Sequence, residues 1–146
     1  MGVEVGPSIR AGRPGTYPRP TSPRFGYNVQ MPLSATIEKL TLATAVVTLQ
    51  GPMTLGSSLK LIDSQINAAI ADGVSNMVID LTGVDYVDSA GLGMLMYTYG
   101  TLNQKNGSLR LCGVAPRVLS LLQLTKTDAV LSIDPARAES LAALQK

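Results

Sequence analysis

The strongest constraint on this chain is a regular change of hydrophobic period. From residue 36 onward, short alternating or wholly apolar runs take turns with longer runs whose apolar residues recur every three to four positions. Residues 36–40 alternate, and the apolar run 43–49 follows almost at once, so the two read as an antiparallel strand pair. Gly51-Pro52 stops the second strand, because proline cannot extend a central ladder. Leu55, Leu59, Ile62, Ile66, Ala69 and Ile70 then mark one face of a helix that ends at Asp72-Gly73. Residues 77–81 read as a strand buried on both faces. A second helix runs from about 89 to 105 and closes at Asn106-Gly107, before a strand over 108–112. Pro116 suits the first turn of a third helix, with Val118, Leu121 and Leu122 inward. A last strand covers 129–133; Asp134 then caps, and Pro135 starts, a final helix through Leu141 and Leu144. The order β-β-α-β-α-β-α-β-α predicts an α/β fold. It is a mostly parallel sheet of about five strands with an N-terminal antiparallel pair, covered by about four helices through right-handed crossovers.

That pattern occupies residues 35–146, a single domain. Residues 1–34 are different: six of the nine prolines, five glycines, and four arginines against one acid, for a net +3. Such a stretch buries too little apolar surface to offset its ordering entropy, so it is expected to be a disordered extension, with polyproline character around Pro14 to Pro20. It reads either as a basic docking tail or as a passive extension, and globular patterning begins just after Met31. It lacks the continuous apolar core of a signal peptide. The domain itself holds eight bases and nine acids, net −1, and the whole chain is only +2, which gives no electrostatic case for nucleic acid. No apolar run reaches 18 residues, so no membrane span is expected. A single cysteine, Cys112, excludes an internal disulfide and, with the missing signal peptide, favours the cytoplasm. The absence of histidine excludes Ser-His-Asp and Cys-His catalysis and any His-ligated metal. No cofactor and no metal are expected, and the chain reads as a non-enzyme.

The chemistry gathers where the third strand gives way to the second helix, the edge at which open α/β sheets collect ligands and partners. Ser89 falls at or next to the helix N-cap, where an exposed hydroxyl would lie near free backbone N–H groups and the positive end of the dipole. Gly91 and Gly93 would let a partner's backbone or a nucleotide approach closely. These features suit a phosphoacceptor serine; a plain helix cap followed by two packing glycines is the other reading. The Gly91-Leu92-Gly93 run lacks the third glycine of a dinucleotide fingerprint and the lysine of a P-loop. Asp80, Asp85 and Asp88 fit a solvated loop and cap better than a magnesium-binding acid cluster. No Lys or Arg lies between Lys60 and Lys105, and residues 89–104 carry no charge at all. A helix so apolar is buried, or offers a binding face rimmed by acids.

The run Asp88-Ser89-Ala90-Gly91-Leu92-Gly93, following Val78-Ile79-Asp80-Leu81-Thr82-Gly83-Val84, closely resembles the signature of STAS domains. These are anti-sigma-factor antagonist domains, found also at the cytoplasmic end of sulphate-type transporters. The resemblance extends from Thr36 to Leu144 and takes in Leu109-Arg110-Leu111-Cys112-Gly113 and Pro116-Arg117-Val118. It implies a phosphorylation-gated interaction module. Ser89 would be phosphorylated by a partner anti-sigma factor that is an ATP-dependent serine kinase, and Asp80 and Asp88 would be motif positions beside it. The unphosphorylated form would hold the anti-sigma factor and free sigma factor for transcription; a phosphatase would restore it. The implied partner surface is Asp85, Asp88, Ser89, Ala90, Gly91, Leu92 and Gly93, with Thr54. Thr54 departs from the family pattern, standing where Gly-x-Leu-Asp places an acid, yet it can still cap the first helix. That departure leaves open a divergent role as a small-ligand or nucleotide-binding module, or as a transport or stress-signalling accessory.

Overall fold

The computed structural model describes residues 32–144. Residues 1–31 of the expected N-terminal extension lie outside the described residues; its last residues belong to the fold, since Leu33 is buried in the core and Ser34 opens β1. Strand β1, Ser34–Lys39, pairs antiparallel with β2, Thr44–Gln50, in the register Thr36 with Thr48 and Ile37 with Val47. The turn between them is tied by Thr41, whose hydroxyl accepts the N–H groups of Ala43 and Thr44 at 3.2 and 3.0 Å. Helix α1, Ser57–Ala71, leads to β3, Asn76–Gly83; helix α2, Ser89–Gln104, leads to β4, Ser108–Cys112. Helix α3, Pro116–Leu124, and a 3₁₀ turn, Thr127–Ala129, precede β5, Ser132–Asp134, and helix α4, Arg137–Leu144. The sheet order is β1-β2-β3-β4-β5, with every pair after the first parallel. The expected α/β class, antiparallel pair and four covering helices are all present.

The two faces of the sheet differ. Ala45, Val47 and Leu49 of β2, Met77, Ile79 and Leu81 of β3, and Leu109 and Leu111 of β4 point one way. They form the main core with Leu59, Ile62, Ile66 and Ile70 of α1, Leu95 and Leu102 of α2, and Val118 and Leu122 of α3. On the other face Val46, Val78 and Cys112 meet Leu141 and Leu144 of α4. Both faces of β3 are thus buried, which is why its sequence is a continuous apolar run rather than an alternating one.

The second face is also stitched by charge. The Arg110 guanidinium donates to both carboxylate oxygens of Asp134, at 2.7 and 3.0 Å, and the Ser140 hydroxyl donates to the same carboxylate at 2.7 Å. Arg137 donates to the Thr48 hydroxyl at 2.8 Å and to Asp80 at 3.1 Å. Cys112 lies buried in this layer, where desolvation pushes its thiol up to about 11, so it stays a neutral packing group.

Three element ends differ from the sequence reading. Helix α1 starts at Ser57, two residues past Leu55, which is exposed, and its N-cap is Gly56 with no side-chain cap bond. Thr54 therefore does not cap it. Residues 127–129 form a 3₁₀ turn, so the last strand moves on to Ser132–Asp134. Asp134 lies in that strand with its carboxylate committed to Arg110 and Ser140, and α4 begins at Arg137 instead of Pro135.

Candidate functional site

The carboxyl ends of β2 and β3 are sewn together. Gly51 N–H donates to the Gly83 carbonyl at 3.0 Å, Met53 N–H to Tyr86 at 2.9 Å, and Asp88 N–H to Met53 at 3.1 Å. Met53 and Val87 thereby form an isolated parallel bridge beyond the sheet proper. This places the β2–α1 connection, with Thr54 and Leu55, directly beside the start of α2.

Asp88 is the residue that closes the arrangement. It is the N-cap of α2, in extended backbone, and its Oδ1 accepts the N–H groups of Ala90 and Gly91 at 2.9 and 3.0 Å. Its Oδ2 accepts Leu55 N–H at 2.9 Å. The donated N–H groups of Leu55 and Gly91, against a smaller desolvation effect, hold the Asp88 carboxyl below the usual carboxylate range. The sequence left the cap between Asp88 and Ser89; the structure gives it to Asp88. Ser89 is the first helical residue, exposed. The N–H groups expected to stand free near its hydroxyl are already engaged by Asp88.

The two glycines separate. Gly91 is buried, and a Cβ there would overlap the Met53 carbonyl oxygen and come within 2.8 Å of Met53 Cβ and 3.0 Å of Val87 Cγ1. The close approach that its sequence position suggested is made by this chain's own β2–α1 connection. Gly93 is exposed, with open space where its Cβ would be. Both lie inside α2, so Gly91-Leu92-Gly93 is not a phosphate-binding loop. Ala90 and Leu92 are half-buried, Thr54 is half-buried, and Asp85 and Tyr86 are exposed on the approach to the helix.

Asp80 is not part of this grouping. It points to the α4 face, where burial alone would raise its pKa; the hydroxyl and N–H of Thr82, at 2.7 and 3.0 Å, and Arg137 outweigh that and hold it low. Its role is to anchor α4, and the three aspartates Asp80, Asp85 and Asp88 do not converge. Among the described residues no group of three or more His, Cys, Asp or Glu is placed to hold a metal ion.

Two clefts flank the first turns of α2. One, of about 250 Å³, lies between α1 and α2 and is lined by Leu59, Lys60, Asp63, Ala90, Met94 and Tyr97. The other, of about 420 Å³, lies between α2 and α3 and includes Tyr86, Asp88, Ser89, Leu92, Arg117 and Leu121. The involvement of α3 was missed from the sequence. Only the placing of the Pro116-Arg117 helix start at the same sheet edge could have signalled it. Leu55, Tyr86 and Tyr97 are exposed by 72%, 48% and 63%; Tyr97 and Lys60 line one cleft, Tyr86 and Arg117 the other.

The domain is thus an α/β fold with an exposed serine at a carboxylate-capped helix start. The chain belongs to the STAS domain family, whose family model matches residues 34–140. Over 54 residues it is 37% identical to the anti-sigma-B factor antagonist of Staphylococcus aureus (strain NCTC 8325 / PS 47), a match covering 37% of this chain. The chain spans about half the length of that relative. Among solved structures it is similar to an anti-sigma factor antagonist from Mycobacterium paratuberculosis. There the TM-score is 0.69 at 24% identity, covering 81% of this chain and 100% of the other. It is also similar to the Bacillus cell fate determinant SpoIIAA in its phosphorylated form, with a TM-score of 0.63 at 18% identity, covering 77% and 100%. Among the described residues no helix is long and apolar enough to cross a membrane.

Proposed function

We propose that this chain is an anti-sigma factor antagonist, a cytoplasmic, non-catalytic binding module gated by phosphorylation of Ser89. With the hydroxyl free it sequesters an anti-sigma factor that is itself an ATP-dependent serine kinase, and sigma factor is released for transcription. In the modification Ser89 Oγ attacks the γ-phosphorus of ATP. The new O–P bond replaces the one to ADP, and the hydroxyl proton passes to a base on the kinase. A phosphatase reverses the state by hydrolysis. The observation that carries the reading is that Asp88 supplies the helix cap and leaves Ser89 exposed at the first helical position, with no hydrogen bond to its hydroxyl among the described residues. The name of the Staphylococcus relative and the phosphorylated state of the Bacillus neighbour support it.

Phosphate adds about −1.5 to −2 charge. It would stand beside Asp88, whose carboxylate already fills the N–H groups of the helix end. Repulsion and desolvation at the interface, not refolding, then release the partner. The test is a binding titration against the candidate anti-sigma factor, with circular dichroism as folding control. Ser89→Ala binds like the wild type and gains no mass with kinase and ATP. Ser89→Asp folds but binds tenfold or more weakly, since like charges at an interface cost several kcal/mol and 1.4 kcal/mol is a decade. Equal affinities for all three folded proteins overturn the switch. The half-buried Thr54, in place of the family's acid, supports a second reading as a transport or stress-signalling accessory, which that result would favour.

A further inference from the structure

The phosphorylated form of the proposed switch raises a question of charge. A phosphoryl group on Ser89 finds the N–H groups of Ala90 and Gly91 already taken by Asp88, which adds its own negative charge. Across the α2–α3 cleft the situation is reversed. Arg117 is the second residue of α3, exposed, and makes no ion pair or side-chain hydrogen bond among the described residues. Helix α3 opens Ala115-Pro116, and Ala115 offers no side chain to cap it. Its first main-chain helical bond is Leu119 N–H to the Ala115 carbonyl, so the N–H groups of Arg117 and Val118 precede the ladder. Both residues line the same cleft as Ser89, together with the apolar Val87, Leu92 and Leu121 and with Tyr86, Asp88 and Thr125. The second cation near the site, Lys60, belongs to the cleft on the far side of α2, which Ser89 does not line.

We propose that the α2–α3 cleft is a phosphoryl-holding site in which Arg117 is the counter-charge for phosphate on Ser89. Guanidinium and phosphate match as a two-pronged, charge-assisted pair, and the partly uncapped start of α3 adds a favourable dipole. This inference rests on the phosphoserine reading and gives it a second arm. Phosphorylation adds charge beside Asp88 and also draws Arg117 across the apolar walls of the cleft, so the surface the partner needs is covered as well as charged.

The experiment uses full-length protein with phosphoserine placed at position 89 by genetic encoding, so it depends on no kinase. The phosphate is titrated by ³¹P NMR. A nearby cation favours the dianion and lowers the second pKa of the phosphate, ordinarily near 6, so Arg117→Gln raises it by on the order of half a pH unit for so exposed a pair. Arg117→Lys keeps most of the lowered value, and 1 M salt shrinks the difference. Lys60→Gln leaves it unchanged. Identical titration curves for the wild type and Arg117→Gln, or an equal shift in Lys60→Gln, overturn the proposal. A failure of the kinase to modify Ser89 would strike the switch and leave this measurement standing.

Discussion

Two residues that look alike in the sequence, Gly91 and Gly93, carry opposite consequences. A methyl group at Gly91 drives into the carbonyl of Met53, which is backbone and fixed by the Asp88 N–H bond at 3.1 Å. Gly91→Ala is therefore expected to destabilise by about 1–3 kcal/mol, the cost of overpacking a filled site. At Gly93 the same methyl meets open space, and the better helix propensity of alanine stabilises by up to about 1 kcal/mol. Chemical denaturation of the two variants checks this, and equal midpoints would refute the distinction. The site motif was legible as residue types in a fixed order, because a cap, a hydroxyl and small residues at a strand-to-helix turn have few other uses. Which side chain caps was not legible. Asp88 and Ser89 are both good caps, and the choice depended on Leu55, 33 residues away, needing an acceptor for its N–H.

At the scale of elements, periodicity found the five strands and four α-helices of the described residues, missed the 3₁₀ turn, and misplaced ends where a tertiary bond decided them. Leu55 fits the α1 stripe by spacing, yet its N–H is taken by Asp88 and the helix waits until Ser57. Asp134 followed by Pro135 reads as a helix start, but the carboxylate is captured by Arg110 and Ser140 and remains in the sheet. Strand order was not legible, since crossover handedness does not say on which side a strand is added. The clearest consequence concerns α4. It is short, and its apolar footing is the small cluster of Val46, Val78 and Cys112. Arg137 therefore matters to its docking through Thr48 and Asp80. Its side chain is 40% exposed, so solvent screens the pair, and Arg137→Ala is expected to cost only about 1 kcal/mol. The loss is local: amide hydrogen exchange should quicken in α4 and stay unchanged in α2. Unaltered protection in α4 would show that the ion pair contributes nothing to its docking.

At the scale of the molecule, charge is sparse, and among the described residues the carboxylates held low by their bonds sit at two places, the exposed Lys39–Asp72 pair aside. Asp80 and Asp134 lie under α4, and Asp88 joins the β2–α1 connection to α2. All three are held below their ordinary value of 3.8: Asp134 chiefly by Arg110, Asp88 by the N–H groups of Leu55 and Gly91, and Asp80 because Thr82 and Arg137 outweigh its burial. A carboxylate with a depressed folded pKa contributes stability that is complete above the unfolded value and is lost as pH falls through the folded one. The chain contains no histidine, so no imidazole adds a transition between pH 5 and 8. The thermal midpoint should therefore be flat from about pH 5.5 to 8 and fall on the order of 5–10 °C by pH 3. The variant Asp134→Asn should begin lower at pH 7 and fall less, because one titrating group has been removed while Arg110 has lost its charged partner. Far-UV circular dichroism melts across that range measure both curves. A wild-type midpoint that is unchanged at pH 3, or an Asp134→Asn curve parallel to it, would mean that these carboxylates do not hold the α4 layer and the loops at the Ser89 edge.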